Sequence, residues 1–300
     1  MGSEEYDSNG GSDQGTELMK SEIVLLDGPV GTELHSRGID TSLAWWSAQA
    51  NVTAGEVVSQ IHRDYCDAGA TVHTANTFRT QRRYAGDCWR EWTTVAVDLV
   101  RRSVDVGNLI AGSLAPLEDC YRPDLSPVSS YEEHLEMAEM LAGCGCDLIL
   151  CETFACGREA LEAVQASIKA GLPVWVALTA GPNGDLMSPA EMAGHARACV
   201  DAGAEAVLIN CVPASKTLEF VEALAGASLA VPFGAYANAG SVDEGMGWAA
   251  NASHSPRSSA AYLEHVQRWI EAGATLIGGC CGTSPHHIQA VHDWLHENPS

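Results

Sequence analysis

A chain of 300 residues with 46% hydrophobic side chains can fill one barrel-sized α/β core, and no run approaches the roughly 20 apolar residues of a membrane-spanning helix. Its formal charge of −23 repels phosphate, which excludes a nucleic-acid or anionic-membrane partner and suits a cationic ligand. Eleven cysteines with no apolar export segment read as reduced thiols for metal or catalysis in a cytoplasmic protein, not as a disulfide framework.

Residues 1–21, rich in Gly, Ser, Asp and Glu, predict a disordered acidic tail, and 22–297 predict one folded domain. Beyond the tail, helix-like stretches end in small-residue turns: Ala68-Gly69-Ala70, Ala170-Gly171-Leu172, Ala202-Gly203-Ala204, Ala272-Gly273-Ala274 and, more loosely, Gly143-Cys144-Gly145. Glycine just past a helix end takes the left-handed conformation at no steric cost. Short apolar runs predict strands at 23–26, 71–74, 109–111, 148–151, 174–178, 206–209, 233–236 and 276–278. Strands alternating with helices of ten or more residues imply a parallel sheet. Eight such units point to a single-domain (β/α)8 TIM-type barrel, with an open doubly wound sheet as the alternative.

In a barrel, chemistry gathers at the C-terminal strand ends. The polar clusters fall there: Asp27-Gly28, Asn76-Thr77, Gly112-Ser113, Glu152-Thr153, Asn210-Cys211, Asn238-Ala239-Gly240 and Cys280-Cys281. Two long linkers, 116–130 and 240–259, are expected to hang over that face.

Three cysteines carry the sharpest signal. Neighbouring residues in a strand face opposite ways, so Cys280 and Cys281 can converge only where the strand has ended, and the flanking glycines supply that freedom. Joined by Cys211, they describe a zinc site with a fourth position open. Three thiolates give the metal a net negative charge, which suits activation of an added thiol for alkyl transfer better than activation of water. Three core cysteines are the alternative, but an adjacent pair inside Gly-Gly-Cys-Cys-Gly makes poor core. Cys144, Cys146, Cys151 and Cys156 read as core or surface filler. His286 and His287 follow Ser284-Pro285 and read as decoration of a helix start.

Asp27-Gly28-Pro29-Val30-Gly31-Thr32-Glu33-Leu34, Trp46-Ser47-Ala48, Asn76-Thr77-Phe78, Glu152-Thr153-Phe154, Asn210-Cys211, Asn238-Ala239-Gly240 and Gly279-Cys280-Cys281-Gly282 together resemble the homocysteine S-methyltransferase family. The resemblance runs from about residue 23 to 296. It implies a zinc-dependent barrel enzyme of methionine biosynthesis, with Cys211, Cys280 and Cys281 as Zn2+ ligands. Asp27, Gly28, Glu152, Thr153 and Asn238 would line the substrate site, the two carboxylates taking the amino group of homocysteine, and Asn238 would lie close to the metal. Pro29 departs from the family, standing where a second glycine is usual and removing one N–H donor.

The resemblance also bears on the methyl donor. Nothing in the chain resembles a cobalamin- or folate-binding module, so the expected donor is an onium compound. S-methylmethionine or S-adenosylmethionine comes first, betaine or dimethylsulfoniopropionate second, and a separate corrinoid partner is a further alternative. Trp45, Trp46, Trp248, Tyr121 and Tyr236 are candidates for an aromatic cage around such a cation. A zinc hydrolase and a non-enzymatic metal-sensing module are the rival readings; homo-oligomerisation is left open.

Overall fold

The computed structural model describes residues 23–43, 45–239 and 256–298. The expected tail, most of the second long linker and Trp248 lie outside the described residues.

Eight parallel strands follow one another around the molecule: β1 (Val24–Leu25), β2 (Val72–Ala75), β3 (Leu109–Leu114), β4 (Leu148–Phe154), β5 (Val174–Leu178), β6 (Ala206–Pro213), β7 (Phe233–Asn238) and β8 (Leu276–Gly279). Each strand pairs with the next in sequence, and β8 returns to β1. The last gap, between β1 and β2, closes through a parallel bridge at Leu26 and Val72. There Asp27 N–H donates to the Val72 carbonyl at 2.9 Å and Thr71 N–H to the Leu25 carbonyl at 2.8 Å. The result is the expected (β/α)8 barrel rather than an open sheet.

Period-two alternation sorts the side chains into two apolar layers. Leu148, Leu150, Trp175, Ala177, Ala206, Leu208 and Leu276 fill the barrel interior, while Ile149, Cys151, Val176, Val207, Ile209 and Ile277 point out into the helix layer. Strands covered on both faces show no polar alternation, which is why they read as continuous apolar runs. Among the described residues no helix is long and apolar enough to cross a membrane.

The repeated turns behave as the sequence predicts, with Gly69, Gly145, Gly171, Gly203 and Gly273 all at positive φ between 80° and 114°. After the Ala214–Gly226 helix the same position is taken by Ser228 at φ 51°, a strained substitute that no composition rule signals.

Six strands outrun the expected ends, β6 furthest and β3 and β4 next, and the irregular ones are β4 and β6. Both continue past a shift in pairing register, between Cys151 and Phe154 in β4 and between Asn210 and Pro213 in β6. Such irregularities near a barrel rim re-aim side chains without ending the strand. Thr153 (φ 66°) and Cys211 (φ 53°) occupy these two irregularities, both non-glycine residues in left-handed backbone.

Candidate active site

Cys211 reaches the barrel mouth from the β6 irregularity, and Cys280 and Cys281 follow directly on β8. Their three sulfur atoms all lie within 4.8 Å of one another. Strand β8 does end before the pair, as convergence requires. A Cβ on Gly279 would come 2.2 Å from Thr283 Oγ1, so only glycine allows this turn. Backbone bonds from Cys280 N to Ala237 O (2.9 Å) and from Ala239 N to Cys281 O (3.0 Å) pin the turn to β7. Hydrogen bonds from Cys211 and Cys280 hold the Cys281 thiol well below its ordinary range, while the same contacts push Cys280 up. Three converging soft sulfur donors, two buried and Cys281 half-buried, fit a thiophilic divalent cation.

Asn210 fixes the geometry of Cys211. Its side chain crosses above β5, accepting from Thr153 N–H at 3.1 Å and donating to Thr153 Oγ1 at 2.7 Å. The two strained residues are therefore clamped to each other through one amide. Conformations of this kind cost about 1 kcal/mol or more apiece and persist only where surroundings over-determine them.

Two carboxylates face the same mouth. Asp27, 3% exposed, accepts from Thr74 N–H at 2.9 Å. Burial raises its pKa well above the usual carboxylate range, against the pull of that hydrogen bond. Glu152, 9% exposed, accepts from Ser113 Oγ on one oxygen and from Tyr236 Oη at 2.9 Å on the other. Burial pushes Glu152 up to about 7. Among the described residues, neither carboxylate is paired with a lysine or arginine side chain, which leaves both open to a cationic ligand.

These groups line one cavity of about 760 Å³, larger than a single small amino acid needs. Loops supply the rest of its wall. Trp46 and Phe78 meet edge to face at 5.9 Å between centroids, and Gly31 lies so close under Trp46 that a Cβ there would meet the indole at 2.1 Å. From the 116–130 linker, Cys120 and Tyr121 reach the cavity, and Tyr121 packs against the interior cluster alongside Cys281. That linker is tied down by Leu117 N–H to Glu159 Oε1 at 2.8 Å and Gln81 Nε2 to the Ala115 carbonyl at 2.6 Å.

A family model described as homocysteine S-methyltransferase matches residues 24–295. The chain belongs to the homocysteine S-methyltransferase family. It is 29% identical to a homocysteine S-methyltransferase of Escherichia coli, covering 91% of this chain and 96% of the relative. It is 27% identical to an S-methylmethionine–homocysteine S-methyltransferase of Pongo abelii, covering 93% and 80%. Among solved structures, the metallated form of the homocysteine methyltransferase MmuM from E. coli superposes with a TM-score of 0.72 at 24% identity, over 93% of this chain and 98% of that one, which attests the fold. The protein is accordingly a methyltransferase of the homocysteine family.

Of the residues expected for this homocysteine S-methyltransferase site, Asp27, Gly28, Glu152 and Thr153 line the cavity together with Cys211, Cys280 and Cys281. Asn238 does not. It ends β7, 2% exposed, with Oδ1 lacking a hydrogen-bond partner among the described residues. Gly28 has a packing reason beyond ligand approach, since a Cβ there would lie 2.5 Å from Tyr65 Oη. Trp45 turns away from the cavity, donating to Gln49 Oε1 at 3.0 Å and packing on Trp92. Tyr236 serves Glu152 rather than standing free as a cage wall. Cys146 and Cys151 are buried as filler, and His287 caps its own helix through the Ser284 N–H at 3.1 Å. Sequence reasoning singled out Gly112-Ser113 and Asn210-Cys211 but assigned Ser113 and Asn210 no supporting role.

Proposed function

We propose that this protein transfers a methyl group from a sulfonium donor, S-methylmethionine or S-adenosylmethionine, to the thiol of L-homocysteine in a zinc-dependent reaction that yields methionine. The observation that carries the reading is the convergence of three cysteine sulfurs in the cavity that also holds two buried carboxylates without cationic partners.

Cys211, Cys280 and Cys281 would hold Zn2+, which when bound supplies a homocysteine sulfur that is deprotonated yet still nucleophilic. Asp27 and Glu152 take the substrate's ammonium group between the ends of β1 and β4, and Ser113 and Tyr236 aim Glu152 at it. Asn210 keeps Cys211 in its left-handed conformation, so the sulfur array does not relax when substrate enters. Trp46 at the cavity wall offers an aromatic surface to the donor's positive centre, worth roughly 0.5–2 kcal/mol, while Phe78 carries the Arg79 guanidinium over its ring. Sulfur and methyl need only be brought in line at roughly 3–3.5 Å, with no protein general base. The donor's sulfur–methyl bond breaks as the new carbon–sulfur bond forms, and the donor leaves as a neutral thioether. Opposite charges vanish in this step, which a cavity closed off by Tyr121 and its linker favours over water.

The cavity volume supports two amino-acid-sized molecules side by side, and the relative named for S-methylmethionine supports the donor class. All eleven cysteines are free thiols, in keeping with a cytoplasmic setting. The test is mass spectrometry of methionine formed from homocysteine and one methyl-labelled donor at a time. Label from a sulfonium donor is the expected result; label from betaine alone, or from no free donor, overturns the donor assignment.

A further inference from the structure

Behind the barrel wall lies a second group of ligand atoms that the methyl-transfer reading does not use. His73 sits on β2 facing the helix layer, His62 lies on the Gly55–Asp67 helix packed over it, and Asp27 follows β1. One ligand atom from each falls within 4.8 Å of the other two, and all three residues are buried. His62 and His73 are both 0% exposed.

The hydrogen-bond inventory shows what this arrangement lacks. His73 Nε2 is held between the Ala70 carbonyl at 3.1 Å and Asn108 Nδ2 at 3.2 Å, which leaves Nδ1 as the ring nitrogen facing Asp27. That Nδ1 is buried without a hydrogen-bond partner and lies 4.0 Å from Asp27 Oδ2. Both ring nitrogens of His62 are equally unpartnered, as is the hydroxyl of Tyr65, one helical turn further along the same face. Burial pushes His62 down to about 3 and His73 to about 4, so neither imidazole supplies a positive charge near neutral pH. The unpartnered nitrogens of His62 and His73 and a carboxylate oxygen of Asp27 thus converge with no hydrogen bond among them. Orphaned buried polar atoms are costly to leave unpaired, and their concentration at one place calls for an occupant.

We propose that Asp27, His62 and His73 form a second divalent-cation site, separate from the three cysteines, which takes a first-row transition metal through two imidazole nitrogens and one carboxylate oxygen. Two neutral imidazoles and a carboxylate are the donors such ions prefer, and the harder N/O set selects differently from the thiolates. Asp27 also lines the cavity, which provides the entry path. A cation here and a substrate ammonium draw on the same carboxylate, so occupancy is measured without substrate.

The experiment is a Co2+ titration of the metal-free full-length chain under reducing conditions, reading bound metal by elemental analysis and coordination by absorption. The wild type is expected to bind two equivalents, one with intense sulfur-to-cobalt charge transfer and one without. His73→Leu and His62→Leu should each weaken the second equivalent at least tenfold, since even outer partners of metal ligands are worth roughly 10–100-fold. Both should keep the charge-transfer band, which doubles as proof of folding. In Cys280→Ser/Cys281→Ser the band should vanish while one equivalent remains. A single equivalent in the wild type would mean that a water or nothing fills the site, and overturns the proposal. A second equivalent that survives both histidine substitutions belongs to surface histidines and overturns it equally.

Discussion

Tyr236 on β7 donates its phenolic hydrogen to Glu152 on β4 across 2.9 Å of barrel mouth, joining residues 84 positions apart in the chain. The bond stabilises the ionised carboxylate and sets its direction. Tyr236→Phe is expected to weaken homocysteine binding about tenfold, the worth of roughly one charge-assisted hydrogen bond, with zinc content unchanged. Calorimetry of homocysteine binding, paired with metal analysis, checks this; unaltered affinity would show that Ser113 alone suffices.

The protonation of Glu152 should govern the acid limb. Its pKa is raised to about 7, so the group loses its charge as pH falls through that value and with it the attraction for the substrate ammonium. Homocysteine affinity should therefore hold above pH 7 and fall below it by up to about tenfold per unit. Measured from pH 5.5 to 8.5, the profile should flatten in Glu152→Gln at a uniformly lower affinity.

Metal removal should be decisive for catalysis. Chelation is expected to abolish methyl transfer and added Zn2+ to restore it. Cys281→Ser should lower zinc affinity by at least about tenfold, read by competition with a coloured chelator. Full activity in the stripped protein would sink the zinc assignment.

Gly31 is expected to control the donor half of the cavity. A methyl group at this position would run into the Trp46 ring, so Gly31→Ala should displace the indole. The predicted signature is a raised donor KM with homocysteine affinity unchanged, separable by varying one substrate at a time.

Gly234 tests the barrel itself. It pairs with Leu276 across β7 and β8, and a Cβ there would fall 1.8 Å from the Leu276 carbonyl oxygen. Backbone cannot yield as a flexible side chain can, so Gly234→Ala should cost about 3 kcal/mol of stability, measured by denaturant unfolding.

Much of this molecule was legible because its signals are local. Apolar runs marked every strand, five of them preceded by a small-residue glycine turn, and the double cysteine announced itself between glycines. The strand ends were less legible. Residues 152–154 and 210–213 continue their strands through irregular pairing held by the Asn210–Thr153 clamp, a contact 57 positions long that no local pattern encodes. The same reason hid Ser113, whose value lies in reaching Glu152 from the neighbouring strand. Trp45 and Trp46 are adjacent and alike in sequence. Only the positive φ of Trp46, 46°, turns one toward Phe78 at the cavity and the other toward Gln49 and Trp92.

The join between β1 and β2 has a thermodynamic consequence. Strand β1 contributes two residues, and beyond the Asp27 N–H the main-chain ladder to β2 runs out. The next bond across the join is made by a side chain, Asp27 Oδ2 accepting from Thr74 N–H. The ring of strands is therefore fastened by a group that also faces the cavity. Whatever engages Asp27 there competes with or reinforces this bond, and amide exchange at Thr74 should slow or quicken with cavity occupancy. Substrate recognition and barrel closure are two readings of one carboxylate.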